Sequence, residues 1–242
     1  MLRKTGETVD AEIPENCRAR FENQLRGLGI PTDAAKELLD GHPLVNYGRD
    51  STIFMTGTPA DIMFAVVSGW VRVYYSIGSR RILAKLAGPG DVIGHMETPR
   101  EGGPGRRIFE AYSLGKCTVA LVTREHLVSV LQRVERDALI QIMTRLNGYW
   151  SIVAKRLLTM LLLSFRERLE FVLHELARDF GVRDARGVLL RPELGHDDLA
   201  DMIGSSRPMV TRLLGEMSDQ GLVTRCGRNL VLLDHRGIHV AA

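Results

Sequence analysis

The chain has 242 residues, 45% of them hydrophobic and 25% charged, with a net charge of +3 and three cysteines. No apolar run reaches the roughly 18 residues a membrane span needs, and the first 16 residues carry no hydrophobic stretch behind their basic ones, so neither a membrane span nor a secretory signal is expected and the expected compartment is the cytoplasm. Cys17, Cys117 and Cys226 lie far apart with no CxxC pair, which argues against a disulfide framework, a zinc site or a cysteine-ligated cluster; they are expected to be small buried hydrophobes.

Residues 1–34 carry no readable role; an unstructured arm and a short helix touching the next domain both fit them. Residues 45–122 are short β-branched and aromatic runs (STIFM, MFAVVSG, WVRVYYS, RRILAKL, TVALV) punctuated by glycine. That rhythm predicts an antiparallel sandwich or barrel with tight turns. In WVRVYYS, Val71, Val73 and Tyr75 are expected on the buried face, opposite Arg72 and Tyr74. Residues 98–107 (TPREGGPGRR) break the pattern and predict either a mobile loop or a ligand-gripping turn.

From Thr123 the period becomes helical. Thr123 is the expected N-cap of a short helix, TREHLVSVLQRV, and residues 136–163 predict a long one. Positions 139, 142, 146, 149, 153, 156, 160 and 163 are Leu, Ile, Leu, Tyr, Val, Arg, Met and Leu. Seven apolar residues at alternating spacings of three and four make a coiled-coil seam. A core helix packed on its own domain is the competing reading, but Ile140, Met143, Trp150, Leu157, Leu161 and Leu162 supply a second apolar face. One face for the domain and one for a partner predict a homodimer whose interface includes Leu139, Ile142, Leu146, Tyr149, Val153 and Met160.

Residues 166–180 predict an amphipathic helix ended by Gly181, then a loop over 182–195 with a short hairpin at GVLLRPEL. In the next helix Leu199, Met202 and Ile203 form the inner face, and Asp197 and Asp198 sit at the positive end of its dipole. Gly204 permits a sharp turn, Ser206 is a plausible N-cap and Pro208 falls in the first turn of a second helix. Val210, Leu213, Leu214 and Met217 bury that second helix, leaving Arg207, Met209, Thr211, Arg212 and Glu216 outside. LVTRCGRNLVLL then predicts two strands around Gly227.

A helix exposing two arginines and a threonine near its start suits a major groove, where Arg pairs with guanine O6 and N7. Ser206 and Arg207 bracket a helix start that attracts phosphate, and Arg225 and Arg228 of the hairpin would position the protein on the backbone. The expected DNA contacts are therefore Ser206, Arg207, Met209, Thr211, Arg212, Arg225 and Arg228. From Arg166 onward 11 Arg face 12 Asp plus Glu, so binding must rest on how charge is segregated.

GDVIG (90–94) with Gly69, the long helix and IGSSRPMVTRLLGEMSDQGLV (203–223) together resemble the Crp/Fnr family of transcriptional regulators over roughly residues 35–235. The resemblance implies an α+β chain: an N-terminal arm (1–34), a jelly-roll, cyclic-nucleotide-binding-like effector domain (35–132), a dimerisation helix (133–164) and a winged helix-turn-helix (165–242). It places Arg207 and Arg212 on the family's base-reading arginines. Pro208 stands where the cAMP-type members have Glu, so the half-site should differ from theirs, because Pro offers no acceptor to a cytosine amine.

The effector pocket departs further. His95 stands where cyclic-nucleotide binders have a Glu for the ribose, Ile108 follows Arg107 where they have Ser, and Val153 and Ala154 replace a Thr-Ser pair. Only Gly94 and Arg107 survive, so cAMP is an improbable effector. Haem on His95 is disfavoured, since a single histidine there is ordinarily structural. Two readings stay open. In one, a small anionic or nucleotide effector is held by Gly94, His95, Arg106, Arg107 and Val153. In the other, an unliganded regulator is controlled by abundance or a partner protein. The function implied is a regulator binding palindromic double-stranded DNA as a homodimer, with RNA polymerase a candidate partner. The competing function is a ligand-binding module acting through protein contacts. No P-loop, HExxH or GxSxG supports an enzyme.

Overall fold

A computed structural model of the chain describes residues 7–9, 13–27, 30–38, 41–78, 80–94, 105–140, 144 and 157–233. These fall into two compact units, residues 1–80 with 84–151 and residues 81–83 with 152–242, each taken by itself.

The first unit opens with strand β1 (Glu7–Val9) and helices α1 (Glu15–Gly27) and α2 (Thr32–Glu37). Strands β2 (Leu44–Tyr47), β3 (Thr52–Phe54), β4 (Ile62–Ser68), β5 (Val71–Ile77), β6 (Arg80–Ala87), β7 (Val92–Ile93), β8 (Phe109–Ser113) and β9 (Cys117–Thr123) follow. They make two sheets, β1-β2-β9-β4-β7 and β3-β8-β5-β6. Helix α3 (Arg124–Leu131) closes the domain and is capped by Thr123, whose hydroxyl accepts from the His126 N–H.

Strand β4 shows why the amino-terminal segment is structured. Side chains alternate across a strand, so Phe64 and Val66 enter the roll interior with Val45, Tyr47, Val71, Val73 and Val119. Ala65 and Val67 point the other way and need a cover. Ile13, just before helix α1, and Cys17 and Phe21 of that helix supply it, and the Cys17 thiol donates to the Val67 carbonyl at 2.9 Å. Leu25, Ile30, Ala35 and Leu38 continue the layer onto Val122 and Val130. Of the two readings of residues 1–34, the described part therefore fits a helix touching the domain and not an unstructured arm, and α2 runs across the expected boundary at residue 34.

Strand β5 corrects a second expectation. Val71 and Val73 are buried as alternation requires, but Tyr74 is also buried (1% exposed) and Tyr75 is exposed (41%). Tyr74 packs edge-on against Tyr112, so the outer face of this strand is covered at that point.

In the second unit residues 157–162 are helical. Helix α4 (Phe165–Phe180) begins with a capping box in which Glu167 accepts from the Ser164 N–H at 2.8 Å and Ser164 caps the Glu167 N–H. The Ser164 hydroxyl also donates to the Glu167 carboxylate at 2.7 Å, and this bond first, then the Ser164 N–H, holds the Glu167 carboxyl below its ordinary value.

A four-stranded sheet follows, ordered β10 (Gly181–Asp184), β11 (Gly187–Leu190), β13 (Asn229–Leu232), β12 (Val223–Cys226). The hairpin pairs Gly181–Asp184 with Gly187–Leu190, earlier than the expected GVLLRPEL. Gly181 does not end α4 by a left-handed cap, since its φ is −76°. It is required by closeness instead: a Cβ there would stand 2.2 Å from the Ala177 carbonyl oxygen and 2.5 Å from Val188 Cγ1.

The expected seam is only partly described. Ile142, Leu146, Tyr149 and Val153 lie outside the described residues. Leu139 is exposed, whereas Met160 is half-buried, its sulfur 4.0 Å from where a Cβ on Gly204 would stand. The outward stripe at this end is instead Leu157, Leu158, Leu161 and Leu162, 53–75% exposed. Among the described residues no helix is long and apolar enough to cross a membrane.

Phe21 is fully buried between α1 and the sheet. Phe21→Ala is expected to cost about 3–5 kcal/mol of stability, as large-to-small core changes do, measured by denaturant unfolding. An unchanged midpoint would show that α1 does not belong to the cooperative core.

Candidate nucleic-acid interface

Helix α5 (His196–Ile203) starts where the Asp198 carboxylate accepts from the Gly195 N–H at 2.8 Å. Asp198 is thus buried as a cap, while Leu199, Met202 and Ile203 face inward. Gly204 takes φ +65° and ψ 39°, a conformation that only glycine adopts without cost, and turns the chain into helix α6 (Arg207–Asp219). Ser206 is the N-cap residue by backbone geometry, but its hydroxyl makes no capping bond; Pro208 in the first turn supplies the start.

Val210, Leu213, Leu214 and Met217 are buried, which rotates Arg207, Thr211 and Arg212 outward and leaves Met209 half-buried. The hairpin of β12 and β13 turns through Gly227 and Arg228. Arg225 and Arg228 are exposed, with Arg225 Nη1 donating to the Arg228 carbonyl at 3.4 Å. The expected DNA-contacting residues are therefore on the surface, on α6 and its neighbouring hairpin.

Three of the four arginines carry carboxylates that sequence reading did not assign to the site. Arg207 pairs with Asp197 at 3.3 Å, Arg228 with Glu193 at 3.5 Å, and Arg212 with Glu216 one turn along α6. His196 was also missed. Its Nδ1 lies 2.7 Å from Thr211 Oγ1, and the Thr211 hydroxyl donates to the Arg207 carbonyl at 3.0 Å. Partial burial, then the nearby Arg225 and Arg207, lowers the His196 pKa, opposed by Asp197. Fifteen residues separate His196 from Thr211, so no local pattern signals their meeting.

The expected effector residues are less coherent. His95 and Val153 lie outside the described residues. Arg106 and Arg107, expected to grip an anion together, point apart, as neighbours in extended chain must. Arg106 is exposed and donates to the Gly57 carbonyl at 2.7 Å. Arg107 is buried: it donates to the carbonyls of Gly94 at 3.2 Å and of Ile62, and its guanidinium stacks 4.3 Å from the Phe54 ring centre and 5.3 Å from that of Phe64. A Cβ on Gly94 would stand 2.5 Å from Arg107 Nη1, so glycine there makes room for the guanidinium. Beside it opens a cavity of about 460 Å³ lined by Ile53, Phe54, Met55, Ile62, Phe64 and Arg107 among others. No cluster among the described residues has the ligands for a metal ion.

Residues 167–239 match the model of the Crp-like helix-turn-helix domain, and residues 44–134 that of the cyclic nucleotide-binding domain. The chain is 31% identical to the global nitrogen regulator of Synechococcus elongatus over 183 residues, covering 73% of this chain and 79% of that one. It is 22% identical to the CRP-like cAMP-activated global transcriptional regulator of Mycobacterium tuberculosis, covering 85% and 91%. Among solved structures, FixK2 from Bradyrhizobium japonicum superposes with a TM-score of 0.70 at 24% identity, covering 82% of this chain and 98% of that one.

If the carboxylates restrain the arginines, Asp197→Asn is expected to raise affinity for an arbitrary duplex by up to about fivefold at low salt, the scale of one exposed ion pair. Fluorescence anisotropy with two unrelated duplexes measures it; unchanged affinity for both would mean that the pair does not compete with phosphate.

Proposed function

The chain belongs to the Crp/Fnr family of DNA-binding transcriptional regulators, and from that premise we propose that it acts in the cytoplasm as a homodimer on palindromic sites read by α6. The carrying observation is the outward row of Arg207, Thr211 and Arg212 above a fully buried opposite face. In this reading Arg207 and Arg212 address base edges, with Thr211 and Met209 between them. Ser206, Arg225 and Arg228 set the register on the backbone. A dimer presenting two such helices about 34 Å apart would favour a palindrome.

Self-association rests on the apolar residues of the central helix. Leu157, Leu158, Leu161 and Leu162 expose a stripe that water does not favour, and Leu139 and Ile140 expose more. A second copy would cover that stripe together with the seam residues Ile142, Leu146, Tyr149 and Val153. Met160, half-buried in the single chain, is counted with that seam.

The effector reading disfavours cAMP. Arg107 meets carbonyls and aromatic rings of its own domain, and the cavity beside it is walled mainly by apolar side chains. A small anionic or nucleotide effector other than cAMP, or no effector at all, is the reading these surroundings support. RNA polymerase is the further partner such a regulator requires if it activates.

Site selection from random duplexes, followed by gel shift, tests the DNA reading. Arg207→Ala and Arg212→Ala are each expected to lose about 1–3 kcal/mol of discrimination at one base pair. Arg225→Ala should weaken all sequences alike and flatten the salt slope by about one. Parent-like site preference in both α6 variants would remove base reading from this helix. For the dimer, Leu161→Arg is expected to halve the sedimenting mass, and a mass equal to the parent's would place the interface elsewhere.

A further inference from the structure

The contact between the first residue of α5 and the middle of α6 goes beyond presenting arginines. Thr211 has one hydroxyl proton, which it gives to the Arg207 carbonyl at 3.0 Å. Its oxygen is then an acceptor only, so the His196 Nδ1 at 2.7 Å must carry hydrogen and donate. The neutral ring is therefore held as the Nδ1–H tautomer, and Nε2 is the atom left to take up a further proton. The charged groups around the ring are Arg225 from β12, Arg207 from α6 and Asp197 from its own helix.

We propose that His196 is a positioning residue for DNA reading: its Nδ1–H fixes the Thr211 hydroxyl on the recognition helix, and Nε2 takes up a proton when a phosphodiester backbone lies against the Arg207–Arg225 cluster. The proposal rests on the reading of α6 as the base-reading helix. In the free protein, burial and two guanidinium groups favour neutral imidazole. Phosphates offset the arginines and add negative charge, which favours imidazolium. Protonation leaves the Nδ1–H bond to Thr211 intact and adds charge to it, so one ring both orients a base-facing hydroxyl and neutralises backbone.

The sign follows from linkage. Binding consumes a proton, so affinity rises as pH falls through the pKa of the bound ring and stops rising below the pKa of the free ring, which lies under the ordinary imidazole value. His196→Asn retains an amide N–H near the Nδ1 position but cannot titrate; His196→Ala removes both roles. With the full-length protein and its selected duplex at constant salt, the parent's affinity is expected to rise about three- to tenfold more than that of His196→Asn between pH 8 and pH 6, one proton allowing at most tenfold per pH unit. His196→Ala is expected to lose base preference at the pair facing Thr211 already at pH 8, while His196→Asn keeps it.

Nitrogen-15 shifts of the parent's imidazole, free and duplex-bound, report the protonation directly without any variant. Superimposable pH profiles of the parent and His196→Asn, or a ring that stays neutral in the complex, would overturn the proton uptake. Parent-like base preference in His196→Ala would overturn the positioning. A parent that selects no sequence at all overturns the reading of α6 itself, an outcome distinct from both.

Discussion

The surface proposed to address DNA is decided by the packing beneath it. A helix advances about 100° per residue, so burying Val210, Leu213, Leu214 and Met217 leaves Arg207, Thr211 and Arg212 a single direction in which to point. The inner faces of α5 and α6 both depend on the left-handed turn at Gly204, and α5 is started by the buried Asp198 cap. The guanidinium groups gain their geometry from hydrocarbon, not from charge. A volume change under α6 would rotate them as a set.

Charge then acts on a frame already built. The C-terminal sequence is almost neutral, and three of the four arginines expected at DNA (Arg207, Arg212 and Arg228) hold carboxylates. Exposed pairs of this kind contribute little to stability, so their effect lies in competition. In the proposed DNA complex, phosphate would have to displace Asp197, Glu193 or Glu216, which would lower affinity for any backbone and leave base contacts a larger share of the binding energy. His196 sits inside the same field, its pKa lowered by partial burial and by Arg225 and Arg207, and is the group proposed to gain charge as a backbone approaches.

The roll domain turns Arg107 inward. Arg107 satisfies itself on the carbonyls of Gly94 and Ile62 and on two phenylalanine rings. An anion drawn to it would have to replace those partners, a cost that a weak ligand cannot meet. The relatives with nitrogen- and cAMP-linked names share the framework.

The linear order of residues determined much of this protein. Glycine-spaced β-branched runs specified the roll, and the 199–203 and 210–217 periodicities specified both helices of the DNA-binding unit together with their outward faces. Those features are local: a period of two or of 3.6 is complete within one element. The tertiary structure alone decided the rest. Phe21 needed Ala65 and Val67 to have a purpose, though the unbroken apolar run of β4 already hinted that both its faces would be covered. Tyr74 is buried by a neighbour, Tyr112, that no alternation within β5 reveals. Arg106 and Arg107 part because extended chain sends adjacent side chains to opposite sides. His196 meets Thr211, and Asp197 meets Arg207, only once the turn at Gly204 brings two helices together. Contacts between elements depend on crossing geometry, which no residue encodes by itself.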